Sequence, residues 1–333
     1  MKKSTLIPCP SLRAFCDAVA ENLSLGKQEP TSGSLHHLKK GIGLTTNKQN
    51  KASWQAKVEA LGVNWHYSWE ASLPEEEPQG VEFVPMIWGY WGPSEKFLRR
   101  MEELSATKSA HSRKPLLGFN EPDNKRQAHM SVQRALEGWP YLMKTGLRLG
   151  SPAAVHPHEE WMREFMKQAK EKNYRVDFVC VHWYRSPNTG EFVNYLRKIH
   201  KMYGKPVWIT EFAVADWKAK SRQQNRYSPE IVLRFMREIL PRLEELDFVE
   251  RYAWFSLGED DRTLGPSALF KEDGSLTALG RFYASHEYAT SQANEAGARQ
   301  TKPSGRNSGD TILISLTALG SNRFHRWHES PGL

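Results

Sequence analysis

Short apolar runs alternate with amphipathic stretches through most of this 333-residue chain. Successive runs begin roughly 20–45 residues apart, a spacing typical of repeated strand–helix units. Eight runs have the length and composition of buried strands: 41–45, 63–69, 81–88, 115–120, 147–152, 176–184, 206–212 and 251–257. Because eight such units in about 250 residues match the size of a (β/α)₈ barrel, the pattern predicts an α/β fold of the TIM-barrel type in a single domain.

Helix signals fill the gaps between the predicted strands. Periodic apolar positions and capping residues predict helices over 52–61, 94–104 and 159–172, and a fourth that begins at Ser228-Pro229. The alternative is an open doubly wound sheet, which usually carries a glycine-rich phosphate turn after its first strand. Here Gly41-Ile42-Gly43 lies within the first strand and the fingerprint does not follow it. The barrel is therefore favoured.

The net charge of +8 does not indicate nucleic-acid binding, because it is spread thinly along the chain. Each end carries a net charge of only +1, and nucleic-acid binders usually concentrate their basic residues in one stripe or patch. A hydrophobic content of 39% suits a globular protein with a large core, and no run approaches the roughly 18 apolar residues of a membrane helix. With only three cysteines a disulfide framework is not expected, and Cys180 in its apolar run is predicted to lie in the core.

The two ends differ in composition from the middle, which predicts three segments. Residues 1–35 form an N-terminal extension that we expect to be poorly ordered, 36–289 form the barrel, and 290–333 form a tail that we expect to be disordered. Met1-Lys2-Lys3 has the charge of a signal peptide, but Arg13 and Asp17 interrupt the apolar stretch that should follow. A cleaved signal is therefore not favoured.

Two glutamates directly follow apolar strands at the end where TIM barrels build their active sites. Glu121 follows the fourth strand and Glu211 lies near the end of the seventh. Paired carboxylates are the equipment of glycoside hydrolysis, in which one acts as acid and base and the other attacks the anomeric carbon or activates water. Pro122 restricts the backbone after Glu121, and Asn120 offers an amide to a sugar hydroxyl. By themselves these residues indicate glycoside hydrolysis without naming the glycan.

The motifs around both glutamates resemble those of a known family. Gly118-Phe119-Asn120-Glu121-Pro122-Asp123 and Trp208-Ile209-Thr210-Glu211-Phe212-Ala213 are similar to the two catalytic signatures of glycoside hydrolase family 128, which comprises retaining β-1,3-glucanases of the clan A barrels. Val181-His182-Trp183-Tyr184 and Trp254-Phe255 extend the resemblance to the sixth and eighth strands, so that it covers about residues 38–285.

The resemblance implies roles for these residues. Glu121 is expected to be the general acid/base, with a pKa raised by its neighbour, and Glu211 the ionised nucleophile. A retaining enzyme holds its two carboxyl groups about 5–5.5 Å apart, whereas inversion needs about 6.5–9.5 Å. The implied activity is endo-hydrolysis of β-1,3-glucan by a monomer, without cofactor, metal, nucleic acid or membrane. A polysaccharide substrate favours an extracellular or periplasmic location. A barrel acting on another β-linked glycan and a non-catalytic β-glucan-binding protein are the alternatives.

Several aromatic and polar residues at strand ends are candidate sugar contacts. His182 and Tyr184 share one face of the sixth strand, where either could orient Glu211 or bind a hydroxyl. Tryptophan rings suit the C–H faces of pyranose rings, although tryptophan also fills cores. The remaining candidates are Trp88, Trp91, Trp183, Trp254, Trp69, Trp65 and Asp123, whereas Trp161 and Trp208 are predicted to be core residues.

One further cluster suggests metal binding only at first sight. His156-Pro157-His158-Glu159-Glu160 follows the fifth strand, but a metal site in a barrel needs ligands from several strands. A loop leading into a helix, with the two glutamates complementing the dipole of the helix N-terminus, is the preferred interpretation.

Overall fold

Eight parallel strands follow one another in chain order. The computed structural model describes residues 39–46, 52–107 and 114–286. The strands are β1 Lys40–Gly43, β2 Trp65–Tyr67, β3 Glu82–Phe83, β4 Pro115–Leu116, β5 Arg148–Leu149, β6 Val179–Arg185, β7 Val207–Val214 and β8 Val249–Phe255. The extension at 1–35 and the tail at 290–333 lie outside the described residues, so their predicted disorder stays a prediction.

Pairing between neighbouring strands runs around a ring. Six strands form a sheet in the order β3-β2-β1-β8-β7-β6, and β4 pairs with β5. A parallel bridge between Met86 and Leu117 links the segment after β3 to the one after β4, and a bridge between Gly150 and Phe178 links β5 to β6. Since every strand segment has parallel neighbours on both sides, the predicted (β/α)₈ barrel is confirmed.

The described residues contain seven α-helices, which lie between the strands and after the last one. They are α1 Trp54–Leu61, α2 Glu95–Ala106, α3 Val132–Lys144, α4 Glu160–Glu171, α5 Thr189–Tyr203, α6 Pro229–Glu245 and α7 Ala278–Ser285. The predicted caps are present, because the Ser94 and Ser228 hydroxyls accept the backbone N–H groups of Phe97 and Ile231. Between β2 and β3, residues 68–81 contain neither helix nor strand.

Three strands are reduced to two residues each, far less than the sequence predicts. β3, β4 and β5 comprise two residues each, although their predicted ranges were 81–88, 115–120 and 147–152. The segments beyond them retain only isolated bridges. Pro85 and Pro152 lie in two of these segments and lack the N–H that a regular ladder needs. The regular strand ladder thus ends early on the side of the barrel where Glu121 lies.

Large aromatic side chains fill the lower part of the barrel interior. The Phe178 and Trp208 rings stack with centroids 4.2 Å apart, and Trp65 lies 5.5 Å from Trp208. A Cβ on Gly41 would meet the Trp65 ring at 2.2 Å, so only glycine allows this packing. Cys180 is buried in the same cluster, which confirms its predicted place in the core. Among the described residues, no helix combines the length and apolarity that a membrane span requires.

His66 of β2 lies between the barrel and its helices. It is fully buried, stacks on Trp54 with centroids 5.3 Å apart, and contacts Phe83 on its other side. Neither ring nitrogen has a hydrogen-bond partner in the described part of the chain. Burial therefore lowers the pKa of His66 from 6.5 to about 4.

We expect this histidine to destabilise the protein in acid. Because its pKa is lower in the folded chain, the unfolded chain binds the proton more tightly. The free energy of unfolding then has its full value above pH 6.5. It falls as the pH drops toward 4, by roughly 3 kcal/mol in total. His66→Leu should flatten the dependence of the free energy of unfolding on pH in this range, measured by urea titration. The control is His129→Asn, which removes an exposed histidine and leaves the buried contacts of His66 intact. An unaltered slope in His66→Leu would refute the assignment.

Candidate active site

A cleft of about 890 Å³ opens where the strands end at the carboxyl side of the barrel. Its floor carries Glu121 and Glu211, and its walls come from the loops that follow several strands. The lining also includes Trp69, Trp88, Asn120, Asn124, His156, His182, Tyr184, Trp217 and Phe255. The two glutamates predicted from separate strand ends therefore share one concave surface.

Three donors converge on the carboxylate of Glu211. Its Oε1 accepts the Tyr67 hydroxyl at 3.0 Å and the Trp69 indole N–H at 2.8 Å, and its Oε2 accepts the Tyr184 hydroxyl. The residue is only 5% exposed. These hydrogen bonds hold the Glu211 carboxylate in a fixed orientation.

A β-bulge directs Glu211 into the barrel. Trp208 and Glu211 both point inward although they are three residues apart, which a regular strand with a period of two does not allow. The register between β6 and β7 shifts at this point: Val181 pairs with Ile209, whereas His182 pairs with Glu211. Thr210 is the extra residue, and its insertion places Glu211 beside His182.

Glu121 occupies a strained turn in the segment that follows β4. Its φ of 41° lies in the left-handed region, which non-glycine residues rarely adopt. The backbone N–H of Glu121 donates to the Ala153 carbonyl at 2.9 Å, and its side chain accepts the Asn124 amide at 2.8 Å. His182 Nδ1 lies 2.9 Å from the other carboxyl oxygen. The surrounding contacts thus hold the carboxyl group in place.

The pKa of Glu121 is lowered, not raised as the sequence predicts. Burial raises it, but the hydrogen bond and charge of His182 and the hydrogen bond of Asn124 together outweigh burial. The prediction considered only the neighbouring carboxylate and left out the cation between the two. The prediction of a raised Glu121 pKa is therefore wrong for the site without substrate.

His182 lies between the two carboxylates. One ligand atom from each of Glu121, His182 and Glu211 lies within 4.8 Å of the others, and His182 Nε2 is 3.5 Å from Glu211 Oε1. Burial lowers the pKa of His182, but the Glu211 charge and the contact with Glu121 raise it overall. Both carboxylates therefore favour the protonated form of the imidazole that lies between them.

The same three side chains have the spacing of a metal site. A histidine and two carboxylates suit several divalent ions. However, Glu211 Oε1 already accepts two hydrogen bonds and Oε2 a third, and an ion would have to displace these donors. The donor set therefore fits a hydrogen-bonded carboxylate pair better than a metal centre. The segment His156–Glu160 is a loop leading into α4, with Glu159 at the N-cap position, as predicted.

Six of the predicted sugar contacts are on or beside the cleft surface, including His182 and Tyr184. Trp69 and Trp88 line the cleft and also an adjoining groove of about 680 Å³, where Trp91 stacks on Trp88 with centroids 5.8 Å apart. Trp91 is 67% exposed. Asn120 lines the cleft too, and its buried Oδ1 has no partner among the described residues, which leaves it available to a hydroxyl donor.

Four other predicted contacts lie elsewhere. Trp65 is buried in the barrel interior beneath the cleft, Trp183 stacks on Phe192 on the helix side of β6, and Trp254 is fully buried. The Asp123 carboxylate accepts backbone N–H groups of residues 155 and 156 and shapes the turn. A side chain without an exposed face cannot stack on a sugar, so for the three tryptophans the prediction is corrected to core packing. Of the two predicted core tryptophans, Trp208 is buried and Trp161 is partly buried.

The comparisons with known proteins agree with this geometry. Residues 41–283 match the family described as glycosyl hydrolase catalytic core. A subgroup I GH128 endo-β-1,3-glucanase from Amycolatopsis mediterranei, solved in complex with laminarihexaose, is 33% identical with a TM-score of 0.62, and the match covers 74% of this chain and 98% of that one. The chain belongs to glycoside hydrolase family 128.

Two further relatives show the range of this family. A subgroup III GH128 curdlan-specific exo-β-1,3-glucanase from Blastomyces gilchristii, solved with glucose, is 28% identical with a TM-score of 0.56, over 74% of this chain and 98% of that one. Alkali-sensitive linkage protein 1 of Schizosaccharomyces pombe is 29% identical over 242 residues, which are 67% of this chain. The matched region spans only 40% of that relative's length.

Sequence reasoning missed several cleft residues of this family 128 chain. Tyr67 is fully buried and donates to Glu211, and it ends β2 just as Tyr184 lies near the end of β6. Trp217 is 68% exposed and follows β7 by three residues. Both lie at or just beyond strand ends, the same signal that identified the glutamates, but the second strand was considered only for its tryptophans and the loop after the seventh was left out.

Proposed function

We propose that the protein is an endo-β-1,3-glucanase that retains anomeric configuration, with Glu211 as nucleophile and Glu121 as general acid/base. The observation that carries the proposal is the pair of carboxylates whose nearest oxygens lie within 4.8 Å on the floor of an aromatic-lined cleft. This separation supports retention, because an inverting pair leaves room for a water molecule between its carboxyl groups. The β-1,3 linkage is taken from the relatives.

In the first step, Glu211 attacks the anomeric carbon and the bond to the leaving oxygen breaks. Glu121 gives that oxygen its proton, so the leaving sugar departs with a hydroxyl and a covalent glycosyl-enzyme remains. In the second step, Glu121 takes a proton from water as the water oxygen attacks the same carbon. Glu211 departs as a carboxylate, and its three hydrogen-bond donors stabilise the charge that returns to it.

The first step needs a protonated Glu121, while the free site favours its ionised form. Since the pKa of Glu121 is lowered by contact with His182, the competent protonation state becomes more populated as the pH falls. Activity is therefore expected to be greatest on the acid side of neutrality. The same proximity lets His182 exchange a proton with Glu121 between the two steps.

Endo cleavage is supported by the surface on one side of the glutamates. The cleft and the groove beside it share Trp69 and Trp88, so an aromatic surface continues from the floor past the reacting carboxylates to exposed Trp91. Tryptophan faces suit pyranose rings. A long glucan that binds across several tryptophan rings would place an internal linkage at the two carboxylates, which favours endo cleavage.

The proposal is tested by incubating the protein with linear β-1,3-glucan, mixed-linkage β-glucan and cellulose, and resolving the products by size. We expect short oligosaccharides of several lengths from the first substrate alone, with the β-anomer formed first in proton NMR. Release of glucose alone would refute endo action, and initial α-anomer would refute retention. Binding without products would favour the glucan-binding alternative.

Glu211→Gln should abolish turnover and preserve binding. The change removes the attacking charge but keeps the shape of the side chain, so we expect kcat to fall by roughly 10³-fold or more, with the affinity for laminari-oligosaccharides retained. Glu250→Gln is the matched control, because Glu250 also accepts an indole N–H but lies at the other end of the barrel. Substantial residual activity in Glu211→Gln would exclude the nucleophile role.

His182→Gln should move the alkaline limb of the pH profile of kcat/KM to higher pH. Glutamine can still donate to Glu121 but carries no charge, and the loss of that charge raises the pKa of Glu121. The acid then stays protonated to higher pH. Asn124→Asp, which replaces the other donor with a carboxylate, should shift the limb in the same direction. An unchanged or acid-shifted limb in both variants would contradict this account.

A further inference from the structure

The loop after β7 is closed by a buried aspartate. Asp216 has a side chain only 1% exposed, and it accepts Arg226 Nη2 at 2.8 Å and Arg226 Nε at 3.1 Å. It also accepts the backbone N–H groups of Arg226 and Lys218. These donors lower the pKa of Asp216 to about 2, so the carboxylate is ionised at mildly acidic and neutral pH. Residues 217–225 thus form a loop with its two ends joined.

The same aspartate ties this loop to the loop after β8. The backbone N–H of Asp216 donates to the Thr263 carbonyl at 3.1 Å. The Asn225 amide donates to the carbonyls of Arg262 and Thr263 at 2.9 and 3.1 Å. Within the second loop, Asp261 accepts the N–H groups of residues 263 and 264. The two loops therefore form one hydrogen-bonded wall of the cleft.

Trp217 connects this wall to the reacting groups. It follows Asp216 directly, and its indole N–H donates to the Tyr184 carbonyl at 2.8 Å. Its ring contacts the Tyr184 ring edge-on, with centroids 6.2 Å apart. Tyr184 in turn donates its hydroxyl to Glu211. Because Trp217 is largely exposed, these contacts are what keep its ring in a single orientation.

We propose that Asp216 is a positioning residue, which joins the β7 and β8 loops into one wall and holds Trp217 in place against Tyr184 and the bound glucan. The proposal rests on the proposed function for its kinetic effect. Asp216 does not touch the substrate or the reacting atoms, because it is buried behind Trp217. Its effect on substrate binding is transmitted through the loop to Trp217. Replacing Asp216 should therefore raise KM only while Trp217 is present.

The test is a double-mutant cycle on laminari-oligosaccharide hydrolysis. Asp216→Asn and Trp217→Ala should each raise KM by about 3- to 10-fold with a smaller change in kcat, as expected from the loss of an aromatic contact. The double variant should be no worse than Trp217→Ala, because the two act through one contact. Additive losses would overturn the proposal. Asp177→Asn removes a comparable arginine pair away from the cleft and should lower thermal stability without changing KM.

A second measurement does not depend on catalysis. Exposed Lys218, Lys220 and Arg222 lie within the loop, so trypsin reports whether the loop is held. We expect slow cleavage in the wild type and in Asp177→Asn, and fast cleavage at these sites in Asp216→Asn and in Asn225→Ala, which leaves the ion pair intact. Equal cleavage rates in all four proteins would overturn the proposal. A wild type inactive on every glucan, with the cleavage pattern as expected, would refute the proposed function alone.

Discussion

The contact of His182 with two buried carboxylates is the interaction on which the site depends. Two anions within 4.8 Å of each other in a barrel mouth repel strongly, because burial weakens the screening by water. A histidine between them, with its pKa raised by both, offsets that repulsion. The remaining lone pairs of Glu211 are taken by Tyr67, Trp69 and Tyr184, so its charge is solvated by fixed protein dipoles in place of mobile water.

Backbone irregularities bring these groups together. The bulge at Thr210 turns Glu211 inward, and positive φ values at Glu121 and Trp69 aim two further side chains at the same point. Such conformations persist only where the surrounding structure determines them. Here the surroundings are the parallel ladder of β6 with β7, and the hydrogen bond from the Glu121 N–H to the Ala153 carbonyl. The regular part of the barrel thus supports the irregular part that reacts.

The local sequence pattern was enough to predict the strands, the helix caps and the placing of both glutamates at strand ends. It was not enough to predict which face of each strand points into the barrel, because alternation of apolar residues does not distinguish the barrel interior from the side covered by helices. Trp183 and Trp254 were assigned to the cleft for this reason, although Trp183 packs on Phe192. The bulge has no signal in the residues themselves. The lowered pKa of Glu121 depends on His182, 61 positions away in the chain, and only the fold brings the two together.

The aromatic interior of the barrel also packs directly against the residues of the site. Trp65 and Tyr67 lie on the same side of β2 with ring centroids 6.1 Å apart, the first packed on Trp208 and the second bonded to Glu211. The core therefore forms a packed floor beneath Glu211. A cavity made at Trp208 would loosen that floor, because close-packed interiors transmit displacement to neighbouring side chains. Buried residues of the barrel interior thereby limit how accurately the Glu211 carboxylate is positioned in the cleft.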